Sequence, residues 1–363
     1  MSQTPFRVID TGLRTGRENI AFDQAMVEAR AADDIPDTLR FIQFKPVALL
    51  GRHQALGQEI KLDFCRTNGI EVGRRITGGG AIYFDEGQLG WALVCKRSAV
   101  GGGALADLTR KICEAAAAGL SKLGVDARFR PRNDIEVDGR KISGTGGFFD
   151  GDTLIYQGTV LIDPDTKAMF KALNVAKSKL QKRELDDAAS RVTSLKALLG
   201  EAPDRETVKA ALTAGFAEAL GLEMQAGAIT ETEEALARKL YIEEIGTDEF
   251  VAEIDDPARS PDIYTGSYTG AGGSVSAHIR LEGPRDARLR EILFSGDFFV
   301  TPPRVVFDLE ASLRGLETSV AAEAVQRFFA ETPTSLLSIQ PEDFVVALEA
   351  AIQSANADSK AIS

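Results

Sequence analysis

Two glycine-rich segments, each carrying basic side chains and neither opening a helix, constrain this chain more than any other feature. The first is Arg74-Arg75-Ile76-Thr77-Gly78-Gly79-Gly80-Ala81, followed by the β-rich run Ile82-Tyr83-Phe84. Consecutive glycines let the backbone approach a ligand closely and turn amide hydrogens toward one point. Paired arginines offer forked donors to phosphate or carboxylate; a tight glycine turn beside a solvated arginine pair is equally compatible with the residues. A P-loop or dinucleotide fingerprint is excluded, because those need a strand–loop–helix order that puts phosphates on a helix N-terminus. The second segment runs from Pro131-Arg132-Asn133-Asp134 through Asp138-Gly139-Arg140-Lys141 to Gly144-Thr145-Gly146-Gly147. Asp138-Gly139 is a hairpin turn signal, so Asn133-Asp134 and Lys141 are expected near one another on paired strands. Asp134 is a candidate magnesium (Mg2+) ligand, and Lys141 a mobile point charge for phosphate. A surface ion pair between these two is the competing reading. Together the segments suggest a nucleotide gripped by loops of one sheet, an arrangement suited to activating a carboxylate.

The rest of the chain narrows the setting. The net charge of -12 argues against a broad surface for nucleic acid or anionic membrane, so an anionic substrate requires a local cation cluster. Three scattered cysteines, Cys65, Cys95 and Cys113, form no disulfide framework or zinc motif and point to reducing cytoplasm. No signal-peptide pattern or membrane-length apolar run is present, and a monomer or weak oligomer is expected.

Periodicity predicts helices over Asn19 to Ala29, Leu105 to Leu123 and Arg205 to Leu220, with strands Leu39 to Phe44 and Val47 to Leu50. Hairpins are expected for Ala81–Phe84 with Leu89–Lys96, and for Phe148-Phe149 with Leu154–Ile162. The polar, proline-punctuated stretch Glu253 to Pro261 reads as a boundary. Beyond it come strands Gly273 to Leu281 and Leu289 to Phe294, then helices near Val305–Leu313 and Pro341–Ala350; the last dozen residues are expected to fray. The fold class is therefore α/β (α+β): a large mixed-sheet catalytic domain flanked by helices (1–256) and a smaller C-terminal α+β domain (257–363).

These motifs, in this order, resemble the lipoate–protein ligases, relatives of biotin–protein ligases and octanoyltransferases. The resemblance includes Gly51-Arg52-His53-Gln54, is clearest in Arg74 to Asp85 and Asn133 to Gly144, and continues through Gly158-Thr159-Val160-Leu161 and Ser190 to Leu195. Gly296-Asp297-Phe298-Phe299 and Leu313-Arg314-Gly315 resemble the accessory domain of that family. The resemblance implies an ATP-dependent enzyme that activates lipoate or octanoate as its adenylate and passes the acyl group to a lysine of a lipoyl-carrier protein, either a lipoyl domain or a glycine-cleavage H-like protein. It implies Lys141 as the catalytic lysine, and Asp134 as the magnesium partner. It implies adenylate contacts from Arg75, Thr77, Gly78, Gly79, Gly80, Ala81, Asn133, Asp134, Gly144, Thr145, Gly158 and Thr159. His53, Arg75 and Gly79 fall where relatives line the acyl pocket, although a packed structural histidine is an equal reading for His53. Lys177, Lys179, Lys182 and Arg183 correspond to a loop that closes over adenylate in relatives; a solvated charged linker is the alternative.

The sequence also departs from the family pattern. Tyr156-Gln157 stands where relatives usually carry a histidine pair, Phe84 replaces the histidine before Asp85, and Gln88 replaces an asparagine, with Trp91 soon after. Thr145-Gly146-Gly147 replaces a Ser-Ala-Gln-like run. Two other activities compete with ligation. An octanoyltransferase working without ATP through a cysteine would need a thiol after the lysine motif, yet no cysteine follows Cys113, which sits on the inner face of a helix. A non-catalytic binder of lipoyl-adenylate or of the carrier would not need Lys141, Asp134 and Arg75.

Overall fold

The computed structural model describes residues 5–174, 191–260, 262–270, 272–283 and 287–361. Lys177, Lys179, Lys182 and Arg183 lie outside the described residues. An eight-stranded mixed sheet forms the centre, in the order β11-β1-β2-β6-β10-β9-β8-β7. Its strands are β1 (Phe6–Arg14), β2 (Thr38–Phe44), β6 (Gln88–Lys96), β7 (Arg128–Arg130), β8 (Asp134–Val137), β9 (Arg140–Asp150), β10 (Thr153–Leu161) and β11 (Met224–Ala226). The central strand β6, Gln-Leu-Gly-Trp-Ala-Leu-Val-Cys-Lys, is apolar on both faces, as burial on both sides requires. Leu89, Trp91, Leu93 and Cys95 pack under the helices Leu105–Ser121 and Arg205–Leu220. Ala92 and Val94 join the opposite core with the helix Gly16–Ala31. That helix starts at a capping box between Thr15 and Glu18.

A second, three-stranded sheet lies on that side, with β3 (Val47–Leu50) between β4 (Glu71–Arg74) and β5 (Ile82–Phe84). Here the structure corrects a sequence expectation. β5 pairs with β3, and β6 pairs with β2 and β10, so the two runs flanking Asp85–Gln88 form no hairpin. The turn residues instead carry the chain from the small sheet to the large one. The other expected hairpin is present: β9 and β10 pair from Thr153↔Asp150 to Gly158↔Thr145.

After Tyr264, the chain builds an antiparallel sheet of β12 (Tyr264–Gly270), β13 (Gly273–Glu282) and β14 (Arg288–Gly296), with a separate pair β15 (Phe299–Thr301) and β16 (Ser335–Leu337). Helices Val305–Leu313, Thr318–Glu331 and Pro341–Ala361 cover it, and this segment has its own core, with Phe294, Phe298 and Phe344 in edge contact. The last helix continues to Ala361, where fraying was expected from the polar composition.

The main buried charge sits behind the sheet. Arg40 and Asp23 pair with neither side chain exposed. The Arg40 guanidinium also donates to Thr11 Oγ1 (3.0 Å), Asn19 O (3.1 Å) and Asn19 Oδ1 (2.7 Å), and Gln157 donates to the other Asp23 oxygen at 2.6 Å. Burial pushes the Asp23 carboxyl upward, while Arg40 and Gln157 oppose that shift. Removing one partner leaves the other charge unpaired in the core. Arg40→Leu should therefore lower unfolding stability by about 3–5 kcal/mol in urea titration; a loss below about 1 kcal/mol would show that the pair is not holding the helix Gly16–Ala31 to the sheet.

Candidate active site

A cavity of about 610 Å3 opens between the large sheet and the small one. Its polar end is built by the β8–β9 hairpin. Asp138 and Gly139 both take positive φ, 51° and 75°, as a type I′ turn demands. A register shift follows: Glu136 pairs with Lys141, but Asp134 pairs with Gly144. That bulge changes the parity of β9, bringing Gly144 to the same face as Asp134 and Lys141. Lys141 Nζ lies 2.7 Å from Asp134 Oδ1, and a Cβ added at Gly144 would sit 2.8 Å from Lys141 Nζ. The backbone of Lys141 is clamped between Arg191 O (2.8 Å) and Thr193 N (2.9 Å). Arg130 and Arg132 add positive charge here, and the strongly acidic chain thus does concentrate cations locally. The short basic run Arg128-Phe129-Arg130-Pro131-Arg132 was the overlooked signal.

Asp134 also accepts from Arg130 at 2.6 Å. Burial raises its pKa, but the Lys141 and Arg130 charges and hydrogen bonds outweigh this and hold it below the ordinary carboxylate range. Both carboxylate oxygens are thus taken by cations, and no cluster of three His, Cys, Asp or Glu occurs among the described residues. In this arrangement the Asp134 carboxylate, expected to meet magnesium, is held by Lys141 and Arg130. Asn133 donates to Thr145 O and accepts from Thr145 N (2.9 Å) and Oγ1 (2.8 Å), so these two candidates lock one another. Thr159 Oγ1 accepts from Gly144 N at 3.3 Å, and all four of these residues line the cavity.

The first glycine segment lies opposite. Arg75, Thr77, Gly78, Gly80 and Ala81 reach the cavity, on the loop entering β5. The two glycine segments therefore approach the cavity from different sheets, where loops of a single sheet were expected. The arginine pair is also employed differently. Arg75 donates to Leu49 O (3.0 Å), Gly78 O (3.0 Å) and Gly80 O (2.9 Å). Arg74 donates to the carbonyls of Gly51, Gln54, Val251 and Ile254, among others. Buried turn carbonyls need donors, and these guanidiniums supply them; burial lowers both pKa values to about 10, leaving them charged at neutral pH. Arg75 thus contributes positive field to the site, while its fork is spent on backbone.

Of the two readings of His53, the structure favours the packed one. It is buried, stacked on Phe298 at 5.0 Å and tilted against Phe307 at 6.0 Å, and it is absent from the cavity wall. Neither ring nitrogen finds a hydrogen bond among the described residues, and burial lowers its pKa to about 3, so it is a neutral packing residue. Gly79 too is covered: a Cβ there would lie 2.4 Å from the Phe299 ring.

The other arm of the cavity is apolar, walled by Ile20, Ile42, Phe44, Leu49, Ile82 and Phe84. Gln157 lines it while tied to Asp23, and Trp91 forms part of the floor under Gly158. Asp297 and Phe299, from the C-terminal segment, complete the wall. Gly158 is required where it stands: a Cβ there would fall 2.3 Å from Trp91 Cζ2. Cys113 lies behind the wall, with Sγ 3.2 Å from Thr145 Oγ1; burial pushes its thiol up to about 11. It is a core residue.

The profile of the lipoyl protein ligase A/B catalytic domain matches residues 15–217, and the chain belongs to that family. It is 30% identical over 269 residues to octanoyltransferase LipM of Symbiobacterium thermophilum, an alignment covering 68% of this chain and 97% of that enzyme. Among solved structures it resembles a bipartite lipoate protein ligase studied with its E2 lipoyl domain from Thermoplasma acidophilum, with a TM-score of 0.62 and 26% identity, covering 69% of this chain and 98% of that one. It also resembles a lipoate-protein ligase A bound with ATP, with a TM-score of 0.60 and 25% identity, covering 69% of this chain and all of that one. The protein is thus an enzyme of lipoate metabolism with the mixed-sheet fold of lipoate ligases.

Trp91 is the single tryptophan, so its surroundings can be read directly. Gly158→Ala should shift Trp91 emission and cost about 1–3 kcal/mol in stability through overpacking. Unchanged emission and stability would mean that Trp91 does not bear on Gly158.

Proposed function

We propose that this enzyme is an ATP-dependent lipoate–protein ligase. The observation that carries the reading is the Lys141–Asp134 pair, set at the cationic end of a cavity whose other arm is apolar. A medium-chain acid such as lipoate or octanoate fits that polarity: its chain occupies the arm and its carboxylate meets Lys141. A carboxylate oxygen attacks the α-phosphorus of ATP, the bond to pyrophosphate breaks, and an acyl-adenylate remains. Lys141 offers N–H donors to both anions and aligns them, Asp134 and Arg130 fix its position, and Arg75 and Arg132 add positive field. The acceptor lysine then attacks the acyl carbon and AMP leaves. Likeness to a ligase studied with an E2 lipoyl domain supports a lipoyl domain as acceptor. Likeness to an ATP-bound ligase supports ATP. A divalent ion carried by the nucleotide would meet Asp134 at this end of the cavity.

The LipM relative favours a second reading, octanoyl transfer without ATP. Transfer through a cysteine fits this chain less well: Cys65, Cys95 and Cys113 are all buried, and none lines the cavity. Lys141→Ala should cut acid-dependent exchange of labelled pyrophosphate into ATP by about 10²–10³-fold, with an unchanged circular dichroism spectrum. Exchange at the wild-type rate in that variant would overturn the role given to Lys141.

A further inference from the structure

The two glycine segments do more than approach a ligand; they make room for a side chain of this protein. A Cβ added at Gly79 would lie 2.4 Å from Phe299 Cζ, and one at Gly146 would lie 2.3 Å from Phe299 Cε1. The tip of the ring, at Cζ and Cε1, is therefore wedged between bare backbone from both sheets, while Phe299 still lines the cavity. It is held there by the main chain, since Gly79 N donates to Phe298 O at 3.0 Å. Thr301, at the other end of β15, is bound to the backbone of Phe149 on β9 and receives its N–H at 2.7 Å.

The position of the ring within the cavity follows from strand parity. Gly146 lies on the same face of β9 as Gly144 and Phe148, and Phe148 belongs to the core that contains Ile20, Ile42, Phe44, Leu49 and Phe84. Phe299 consequently stands over the apolar arm. Gly146 is two residues along β9 from Gly144, whose Cα borders Lys141 Nζ, a spacing of about 6.7 Å in a strand. The ring therefore covers the stretch of arm that begins a few carbons from the carboxylate end. We infer that Phe299, a residue of the C-terminal segment, is a specificity-determining wall of the acyl site: it packs on the first methylenes of a straight-chain acid and excludes branches there. The inference rests on the proposed use of this cavity for a medium-chain acid.

A ring whose tip is wedged between two backbones has no freedom to withdraw for a branch, whereas its removal opens space that no Cβ at Gly79 or Gly146 fills. Octanoate and 4-methyloctanoate, titrated by calorimetry into the full chain, test this. The wild-type protein should bind octanoate more tightly. Phe299→Ala should lose about tenfold for octanoate, as expected when an aromatic contact is removed, while 4-methyloctanoate stays within about twofold of its wild-type value. Phe299→Leu should fall between, and it decides the matter if the alanine variant proves misfolded by circular dichroism. ATP affinity should stay within twofold in both variants. An unchanged ratio between the two acids in the variants, or an equal loss of ATP binding, would overturn the inference. Failure of the wild-type protein to bind octanoate or lipoate at all would instead overturn the proposed function.

Discussion

The site depends on hydrogen bonds from two buried guanidiniums to backbone carbonyls. Arg74 gathers carbonyls from the Gly51–Gln54 turn and from Val251 to Ile254; Arg75 gathers Leu49, Gly78 and Gly80. Buried carbonyls without enough donors are costly, and the guanidiniums supply donors beyond the backbone bonds these loops make, such as Leu56 N to Ile254 O at 2.8 Å. Arginine suits the task because one planar group satisfies several acceptors at once. With the loops tied down, the first glycine segment forms a fixed rim facing the large sheet. The same residues leave a permanent positive charge near the cavity, so the structural and electrostatic roles of Arg75 coincide.

The division of the cavity follows from that frame. The β8–β9 bulge gathers Asp134, Lys141 and Gly144 on one face, giving a cationic end in a chain of net negative charge. Away from that end the same face continues into the apolar core beneath the small sheet. Bare glycine backbone then serves two kinds of close approach: Gly158 admits the Trp91 ring, while Gly79 and Gly146 admit Phe299. The cavity is incomplete without the C-terminal segment, because Asp297 and Phe299 belong to its wall.

Much of this was legible in the sequence, for identifiable reasons. Helices with an apolar stripe were readable from periodicity: the stretch near Arg205 to Leu220 is a helix with those ends, while the first helix runs from Gly16 to Ala31 where Asn19 to Ala29 was expected. The Asp138-Gly139 turn placed Lys141 beside Asp134 because an I′ hairpin leaves little choice of register. What failed required knowledge of distant partners. Arg75 reads as a phosphate ligand until the carbonyls of Leu49 and Gly80 are seen around it. His53 reads equally as a pocket or a packed residue until Phe298, some 245 positions later in the chain, is found stacked on its ring. The run Ile82–Phe84 reads as half of a hairpin with β6, because local turn chemistry cannot tell a turn within one sheet from a crossing between two. Phe299 could not be placed at all, since its position depends on how the C-terminal segment docks.

Activation by ATP ahead of acyl transfer is the step we propose for this enzyme. Intact mass spectrometry of a lipoyl domain, incubated with the enzyme in two parallel reactions, tests it most directly. One reaction holds ATP, magnesium and lipoate; the other holds an octanoyl-loaded carrier protein and no ATP. Ligation through an adenylate gives a lipoyl mass gain in the first reaction and no octanoyl gain in the second. An octanoyl mass gain in the second alone would contradict it and make the enzyme a transferase.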